Sequence, residues 1–319
     1  MKAIVCTKYG PPDVLKLMDI EKPFPKRNEL LIKIRATSVT ASDCIIRGFK
    51  LPQQTMLRIA MQLAIGFKKP RNPVLGMVLS GEVETIGSEV KKFKTGDRIY
   101  AFTIANGYPM KFGAYAQYIS LRENGAISIM PGNASFEEAA AIPYGGSIAM
   151  HYLEKGKIFG NHEKKRKKVL VYGASGAIGT IAVQLAKHFG AEVSGVCSTT
   201  NLELVQSLGA EKVIDYTVED FTKGNVKYDL ILDAVGKQKS RDNCRNYKNV
   251  LATDGKFISV DDGSPKMTAT NLLVLKDLFE SNVFRPVIDK TYPLEKMAEA
   301  HAYVDKGHKK GNVVITIAH

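Results

Sequence analysis

The sequence predicts an α/β protein of two domains, and three observations lead to this fold class. The chain has 319 residues, which exceeds the roughly 100–200 residues of a typical single domain. Its first third consists of strand-like runs punctuated by glycine, a pattern typical of an all-β or barrel-like unit. From Val169 onward strands alternate with helices, which predicts a parallel sheet with helices on both faces.

The front section is assigned from its apolar runs. Met1–Gly10 is interpreted as a first strand, and a helical insertion is predicted over Gln54–Phe67, where apolar residues recur at the spacing of one helix face. Those residues are Met56, Ala60, Leu63 and Phe67. The insertion either covers a pocket or lies on the surface, and both interpretations stay open. Further strands are predicted at Leu30–Ala36, Leu79–Gly87 and Arg98–Phe102.

The later section has the rhythm of a doubly wound sheet. Its strands are predicted at Val169–Tyr172, Val193–Cys197, Val213–Asp215, Tyr228–Asp233 and Lys256–Val260. The tail from Ile288 holds one helix and a last strand. Pro293 at the start of that helix and Gly307 just past its end match the residue preferences of helix termini.

Composition and charge exclude several classes of protein. Hydrophobic residues make up 45% and charged residues 24%, which is typical of a globular protein and excludes disordered and fibrous chains. No window approaches the ~18 apolar residues of a membrane span, and the N-terminus has too short an apolar run for a secretory signal. We therefore expect a cytoplasmic protein with no membrane partner.

A formal net charge of +13 permits an anionic partner such as a nucleotide phosphate or a nucleic acid. The densest basic run, Lys164–Lys168, has no interleaved aromatic residues and is interpreted as a solvated turn. The four cysteines lie far apart and contain no C-x-x-C pair, which argues against a disulfide framework and against a cysteine-based zinc site. Scattered thiols fit a reducing compartment.

The strongest local signal is the turn that follows the strand at Val169. Glycines recur three residues apart and an apolar helix follows, although the spacing differs from the usual G-x-G-x-x-G. Glycines allow a close approach to a pyrophosphate, and the helix N-terminus offers free N–H groups and the positive end of its dipole. We therefore predict a nucleotide-binding turn. Its cofactor-binding residues are Gly173, Ser175, Gly176, Ala177, Ile178 and Gly179.

The choice of cofactor is read at the end of the second strand of this unit. NAD enzymes usually carry an Asp or Glu there to hold the ribose 2′-hydroxyl, whereas this chain has Ser198 and Thr199. Hydroxyls without a carboxylate leave room for a 2′-phosphate, so the sequence favours NADPH. Tyr216, which follows the third strand, is a further candidate for the adenosine end.

Taken in order, the motifs of the whole chain resemble a known superfamily. The motifs are Pro73-Val74-Leu75-Gly76, Gly81, Gly87, Gly96-Asp97, the glycine turn and the tail Lys310–Val314. Together they resemble the medium-chain dehydrogenase/reductase superfamily, and within it the zinc-free quinone oxidoreductase (zeta-crystallin-like) branch. The resemblance implies a GroES-like β-barrel catalytic domain, residues 1–123 and 265–319, and a Rossmann domain, residues 124–264, with NADPH in the cleft between them.

Zinc-dependent members of the superfamily carry Gly-His-Glu after the front strands and a cysteine about 35 residues earlier. This chain has Gly76-Met77-Val78 and, at the cysteine position, Thr40. A thioether and an aliphatic side chain do not replace an imidazole and a carboxylate as zinc ligands. We therefore expect no catalytic metal. His301 lies on the apolar face of a predicted helix and is interpreted as a packed residue.

Without a metal, an activated acceptor needs little help, because its developing charge spreads onto an oxygen that a few hydrogen-bond donors can stabilise. The branch typically has Asn three residues before an Asp, where this chain has Thr40 and Asp43. The resemblance therefore implies that both are catalytic candidates, with the Thr40 hydroxyl in place to bind the nicotinamide ribose or the substrate. Some members carry a tyrosine two residues after that Asp, as a candidate proton donor, and this chain has Ile45 there. Ser42 and Tyr144 are weaker substitutes, and protonation by solvent is the alternative.

The resemblance implies further cofactor contacts. Ser147 would lie near the nicotinamide, and Val235, Gly236 and Val260 would line the cofactor through their backbones. Asn312 stands where the branch often has Lys. By analogy with the superfamily, a homodimer is also expected.

The predicted function is therefore an NADPH-dependent, zinc-independent oxidoreductase that transfers hydride to a quinone or an α,β-unsaturated carbonyl compound. One alternative is a zinc-free alcohol or aldehyde oxidoreductase. The other is a nucleotide-regulated protein that binds RNA or another polyanion, which would show a steep dependence on salt. No RNA-recognition signature is present in the sequence, so nucleic acid is a disfavoured partner.

Overall fold

The computed structural model describes residues 1–50, 59, 61–63, 65–104, 112–159, 166–263 and 265–319. The chain forms two compact units. The first comprises Met1–Pro143, Met267–Glu280 and Ile288–His319, and the second comprises Tyr144–Lys266 and Ser281–Val287. The domain boundaries expected from the sequence, 123/124 and 264/265, concern the cofactor-binding domain and stay a prediction.

The first unit is built mainly from antiparallel strands. A two-stranded ribbon pairs β1 (Lys2–Cys6) with β2 (Leu15–Asp19). The larger sheet contains β3 (Glu29–Val39), β4 (Val78–Ile86), β5 (Arg98–Phe102), β6 (Tyr118–Arg122), β7 (Ala126–Ile129), β13 (Ile288–Pro293) and β14 (Asn312–Thr316). Its strand order is β13-β14-β3-β4-β5-β7, with β6 paired to β3, and only β13 and β14 run parallel. The β-rich front section is thus confirmed.

Helices complete this unit. They are α1 (Ala41–Arg47), α6 (Ala269–Glu280) and α7 (Met297–Asp305). The tail helix α7 follows a 3₁₀ turn that Pro293 caps, and Gly307 just beyond its end has a φ of +78°. Of the insertion predicted over Gln54–Phe67, residues 59, 61–63 and 65 are helical, while residues 51–58, 60 and 64 lie outside the described residues.

The second unit is a parallel sheet of five strands. They are β8 (Lys168–Tyr172), β9 (Glu192–Cys197), β10 (Lys212–Asp215), β11 (Tyr228–Asp233) and β12 (Leu251–Ser259). Their order is β10-β9-β8-β11-β12. The chain therefore runs outward from β8 to β10 and then returns to the other side of β8, which is the doubly wound order of a Rossmann sheet and confirms the predicted α/β fold.

Helices of this unit join the strands, as the parallel connections require. Helix α2 (Phe136–Lys155) begins in the first unit, which extends to Pro143, and continues into the second. Helices α3 (Ala177–His188), α4 (Leu202–Ser207) and α5 (Lys237–Ser240) follow β8, β9 and β11. Gln184 on α3 exchanges two hydrogen bonds with the backbone of Arg285, at 2.9 and 3.0 Å. The short segment Ser281–Val287 is thereby fixed to the unit that it joins.

Both faces of β8 are covered. Val169, Leu170 and Val171 are fully buried, as expected for a central parallel strand with helices on both sides. Lys168, which the sequence places in a solvated turn, is instead the first residue of this strand, and its backbone N–H donates to Asp229 at 2.7 Å. Across the described ranges, no helix has the length and apolar character needed to cross a bilayer.

Candidate active site

The glycine turn lies at the carboxyl end of β8, beside the point where the strand order reverses between β8 and β11. In open α/β sheets this is the place where ligands bind. Gly173 turns the chain with a φ of +78°, which favours glycine. The N–H groups of Gly173 and Ala174 donate to the carbonyl of Val196 on β9, each at 3.0 Å. The turn is therefore fixed to the neighbouring strand.

Protein packing explains two of the three glycines. A β-carbon on Gly173 would overlap the side chain of Val235, and a β-carbon on Gly179 would overlap the carbonyl oxygen of Gly173. At Gly176, by contrast, it would meet only the Gly173 oxygen, at the ordinary contact distance of 3.5 Å. Gly176 has a φ of −82°, which any residue adopts. What its missing side chain provides is open space in front of helix α3.

That open space faces a helix end suited to an anion. Gly176 is the N-cap of α3 and supplies no side-chain hydrogen bond, and the first turn of the helix contains no acidic residue. The first N–H groups of a helix lack intrahelical partners, and the helix dipole adds positive potential there. The predicted residues Gly173, Ser175, Gly176, Ala177, Ile178 and Gly179 are thus brought together in a cradle that fits a pyrophosphate.

The end of β9 is joined to this turn by a residue that the sequence argument did not single out. Asn201 is buried, and its side-chain amide nitrogen donates to Ser175 Oγ at 3.1 Å and to Ser198 Oγ at 3.2 Å. The structure therefore brings two of the predicted cofactor residues together, although they lie on different loops. Its place as a polar residue shortly after the end of β9 is the sequence feature that could have identified Asn201.

A carboxylate also reaches the end of β9, from the neighbouring strand. Asp215, the last residue of β10, accepts a hydrogen bond from Thr199 Oγ1 at 2.5 Å and bonds from both the N–H and the hydroxyl of Thr217. The hydroxyls of Thr199 and Thr217 hold the pKa of Asp215 below its usual range. The residues directly after β9 carry no carboxylate, but Asp215 on the neighbouring strand places a negative charge beside them.

A second strand-end carboxylate organises the loop after β11. Asp233 is fully buried. Its Oδ1 accepts from the N–H groups of Val235 and Gly236, each at 3.1 Å, and its Oδ2 accepts from two serine hydroxyls, each at 2.8 Å. The backbone of Asp233 also accepts from Val260 N–H at 3.0 Å. Three predicted cofactor residues therefore converge on Asp233, which the sequence argument missed: Val235 and Gly236 bond its carboxylate, and Val260 bonds its backbone carbonyl.

Other predicted residues of the second unit lie near these loops. Helix α2 approaches the turn so closely at Gly145 that a β-carbon there would overlap the carbonyl of Ala177. Ser147, two residues further along α2, is buried, and Tyr144 is half-buried. Tyr216 is 39% exposed, with its ring 6.1 Å from that of Tyr172. Asn312 belongs to the first unit, where it begins β14 and is buried.

In the first unit, Thr40 and Asp43 form a capping box at the start of helix α1. Thr40 donates to Asp43 Oδ2 through its N–H at 2.9 Å and its hydroxyl at 2.6 Å, and Asp43 N–H donates back to the hydroxyl at 3.2 Å. The Thr40 hydroxyl is thus used as both donor and acceptor within the box. Both residues are buried, while Ser42 between them is half-buried. The catalytic assignment of this pair stays a prediction.

Asp43 also lies at one end of a buried polar network. Cys44 Sγ is 3.3 Å from His301 Nδ1, and His301 Nε2 is 3.2 Å from the hydroxyl of Tyr115. That hydroxyl interacts with Asp43 and favours its charged form, but burial dominates and raises the pKa of Asp43 to about 6. Burial, together with the Arg47 charge, lowers the pKa of His301 to about 3. His301 is therefore a neutral, buried member of a polar network rather than a residue packed only on apolar neighbours.

The residues at the zinc-ligand positions are apolar or engaged. Met77 and Val78 are both buried, and Thr40 is held in the capping box. Among the residues that the structure describes, no group of three His, Cys, Asp or Glu side chains is placed to hold a metal ion.

Family models match most of the chain. An alcohol dehydrogenase GroES-like domain matches residues 26–132, and two zinc-binding dehydrogenase models match residues 177–284 and 265–315. Two of these descriptions mention zinc, but this chain has Thr40, Met77 and Val78 at the positions where zinc-dependent members carry their ligands.

Individual proteins match almost its whole length. A 2-methylene-furan-3-one reductase of Solanum lycopersicum is 35% identical, covering 99% of this chain and 79% of that protein. A chloroplastic NADPH-dependent alkenal/one oxidoreductase of Arabidopsis thaliana is 32% identical over the same shares. Among solved structures, a quinone oxidoreductase from Coxiella burnetii has 26% identity and a TM-score of 0.82, covering 100% of this chain and 99% of that one.

Proposed function

The chain belongs to the medium-chain dehydrogenase/reductase superfamily, in its quinone oxidoreductase branch, and is an oxidoreductase; from this premise we propose that it transfers hydride from NADPH to a quinone or an α,β-unsaturated carbonyl compound, without a metal ion. The names of the two relatives, an enone reductase and an NADPH-dependent alkenal/one oxidoreductase, support this substrate class. A cytoplasmic location and a homodimer are part of the same proposal; the first rests on the sequence and the second on analogy with the superfamily.

The observation that carries the proposal is the open space at Gly176. Within the described residues no contact requires a glycine there, whereas the first and third glycines of the turn are required by packing. A glycine whose β-carbon would meet only the Gly173 oxygen, at 3.5 Å, and which caps a helix without a side-chain hydrogen bond, fits a ligand phosphate. The uncharged hydroxyls of Ser175 and Ser198, which accept hydrogen bonds from Asn201, add no negative charge beside it.

A bound nicotinamide supplies the hydride, and the residues of this chain bind and orient. The turn at Gly173–Gly179 would hold the pyrophosphate, and the loop organised by Asp233 would present the backbone of Val235 and Gly236. Asp43 is engaged in the capping box and the side chain of Ile45 has no ionisable group, so neither is a ready general acid. Ser42 and Tyr144 stay candidates, and an enolate or hydroquinone oxygen can also take its proton from water.

The donor set supports the proposed zinc independence. A Lewis acid would need ligands at the positions of Thr40, Met77 and Val78. The Thr40 hydroxyl is occupied by Asp43, and the other two side chains offer a thioether and an aliphatic group inside an apolar core. No step of the proposed reaction is therefore assigned to a metal.

Calorimetric titration of the purified, chelator-treated protein with NADPH and separately with NADH tests the proposal. The metal content of the protein as isolated is measured in parallel. We expect NADPH to bind more tightly than NADH, no stoichiometric zinc, and oxidation of NADPH by a panel of quinones and enones but not by simple ketones or aldehydes. Failure of both nucleotides to bind, or activity that zinc restores, contradicts the proposal.

A further inference from the structure

Asn201 occupies an unusual position beside the glycine turn. It ends a short 3₁₀ turn, Thr199–Asn201, that follows β9, and it is only 7% exposed. Its amide nitrogen donates to the hydroxyl oxygens of Ser175 and Ser198. Its carbonyl oxygen Oδ1 is buried and has no hydrogen-bond partner in the described part of the chain. Burying an unpaired acceptor is unfavourable, so a function beyond packing is indicated.

The hydrogen bonds of Asn201 determine what the two serines can offer. An amide NH₂ group is a donor only, with two hydrogens, whereas a serine hydroxyl has one hydrogen and two acceptor lone pairs. Because Asn201 donates to both serine oxygens, neither serine spends its own hydrogen on Asn201. Within the described residues neither Ser175 nor Ser198 donates to a protein acceptor. Both hydroxyl hydrogens are therefore available to a ligand.

Thr199, between Ser198 and Asn201, differs. Its hydroxyl hydrogen is used on Asp215 Oδ2, at 2.5 Å. At the end of β9, the Thr199 hydroxyl thus satisfies a carboxylate of the protein, whereas the Ser198 hydroxyl keeps its hydrogen for a ligand. An acceptor-only ligand group is complementary to such donors. Phosphate oxygens are acceptors only, whereas a ribose hydroxyl carries a hydrogen of its own that needs an acceptor.

We infer that Asn201 is a positioning residue that sets the preference of this protein for NADPH over NADH, by presenting the hydroxyl of Ser198 as a donor to the oxygens of the ribose 2′-phosphate. The inference rests on the proposed function, because it concerns the nucleotide of that site. In this fold the ribose 2′ group is recognised at the end of the second strand, where Ser198 stands. Asn201 acts on this group through Ser198, whereas its bond to Ser175 reaches the turn that NADPH and NADH would share.

Two variants of Asn201 test the polarity of this arrangement. Asn201→Leu removes the amide while keeping a similar volume. Asn201→Asp replaces the donor with a carboxylate, which accepts from both hydroxyls and so consumes their hydrogens. We expect both variants to weaken NADPH binding at least about tenfold, the scale of a lost hydrogen bond to a charged group, and to change NADH binding less than about threefold. The readout is the equilibrium Kd of each nucleotide, by calorimetry.

Serine variants keep the test decisive if a change at Asn201 prevents folding. Ser198→Ala leaves Asn201 in place and is expected to cause the same selective loss of NADPH affinity. Its matched control is Ser194→Ala, four residues earlier on β9, where the hydroxyl bonds Tyr228 instead. In the double variant Asn201→Leu with Ser198→Ala, the loss is expected to be smaller than the sum of the single losses, since both act through one hydroxyl.

The outcomes separate this inference from the proposed function. If the unaltered protein binds neither nucleotide, the proposed function fails. If the unaltered protein prefers NADPH but the Asn201 and Ser198 variants lose affinity for NADPH and NADH by equal factors, or lose none, the inference fails and the proposed function stands. A selective loss of NADPH affinity in Ser198→Ala that is absent in Ser194→Ala supports the inference.

Discussion

Replacing Gly176 with alanine is expected to weaken nucleotide binding about a hundredfold while leaving the fold intact. The structure gives the size of both effects. At a φ of −82° and with 3.5 Å to the nearest atom, the new β-carbon causes neither strain nor overlap. Loss of the glycine N-cap costs about 0.5–1 kcal/mol of helix stability, and the reduced freedom of the unfolded chain returns about 0.4–1 kcal/mol. The free energy of unfolding should therefore change by less than about 1 kcal/mol.

The methyl group nevertheless enters the space proposed for the pyrophosphate, and a phosphate held away from the helix N–H groups loses charge-assisted hydrogen bonds. We expect the Kd for NADPH and for NADH to rise by about a hundredfold, equivalent to about 3 kcal/mol.

The control is Gly179→Ala, three residues further on. There the β-carbon overlaps the backbone of the turn, so this variant should lose about 1–3 kcal/mol of stability. Urea unfolding followed by far-UV circular dichroism, together with calorimetric titration, measures both properties. Undiminished nucleotide affinity in a folded Gly176→Ala protein would refute the assignment of the turn.

Three further predictions concern carboxylates and the buried histidine. Asp215→Asn removes a charge at the end of β9, so NADPH binding should tighten by up to about fivefold with NADH unchanged; calorimetric Kd values check this, and equal tightening of both contradicts it. Asp233→Asn leaves buried serine donors without an acceptor, so the free energy of unfolding should fall by about 3 kcal/mol, measured in urea; a smaller effect than in Asp220→Asn, whose carboxylate is exposed at its turn, contradicts it. Burial raises the pKa of Asp43 and lowers that of His301. Between about pH 4 and 6, the folded protein therefore holds a proton on Asp43 that the unfolded chain lacks, and it lacks a proton on His301 that the unfolded chain holds. The two effects on the pH dependence of the free energy of unfolding have opposite sign and cancel. In His301→Gln only the Asp43 effect remains. Its free energy of unfolding should therefore fall relative to that of the unaltered protein as the pH rises, by about 1.4 kcal/mol per pH unit. Parallel pH profiles of the two proteins would contradict this.

The elements that the sequence predicts well are those with local signals. An apolar run followed by spaced glycines and an apolar helix specifies β8, the turn and α3 without reference to distant residues. The pairing of Thr40 with Asp43 was also readable locally, because a threonine three residues before an acidic residue is the pattern of a capping box. The resemblance assigns this pair a catalytic role, and the structure shows that it also caps helix α1.

Contacts between loops were beyond prediction. Asn201 meets Ser175, which lies 26 residues earlier, and Asp215 meets Thr199 across 16 residues. These pairs come together because parallel strands end at one edge of a sheet, and their partners depend on the strand order. The sequence does place an aspartate at the last position of both β10 and β11. That recurrence was a usable signal for the strand-end carboxylates.

The hydrogen bonds between Gln184 and Arg285 also affect how the second unit folds during synthesis. Residues 281–287 belong to the second unit although an excursion into the first unit precedes them. During synthesis, a nascent chain that has emerged only as far as residue 266 therefore lacks the segment that satisfies Gln184. The cofactor-binding unit can reach its final form only after Val287 has left the ribosome exit tunnel. A fragment for separate expression would need residues 281–287 joined behind residue 266 by a new linker.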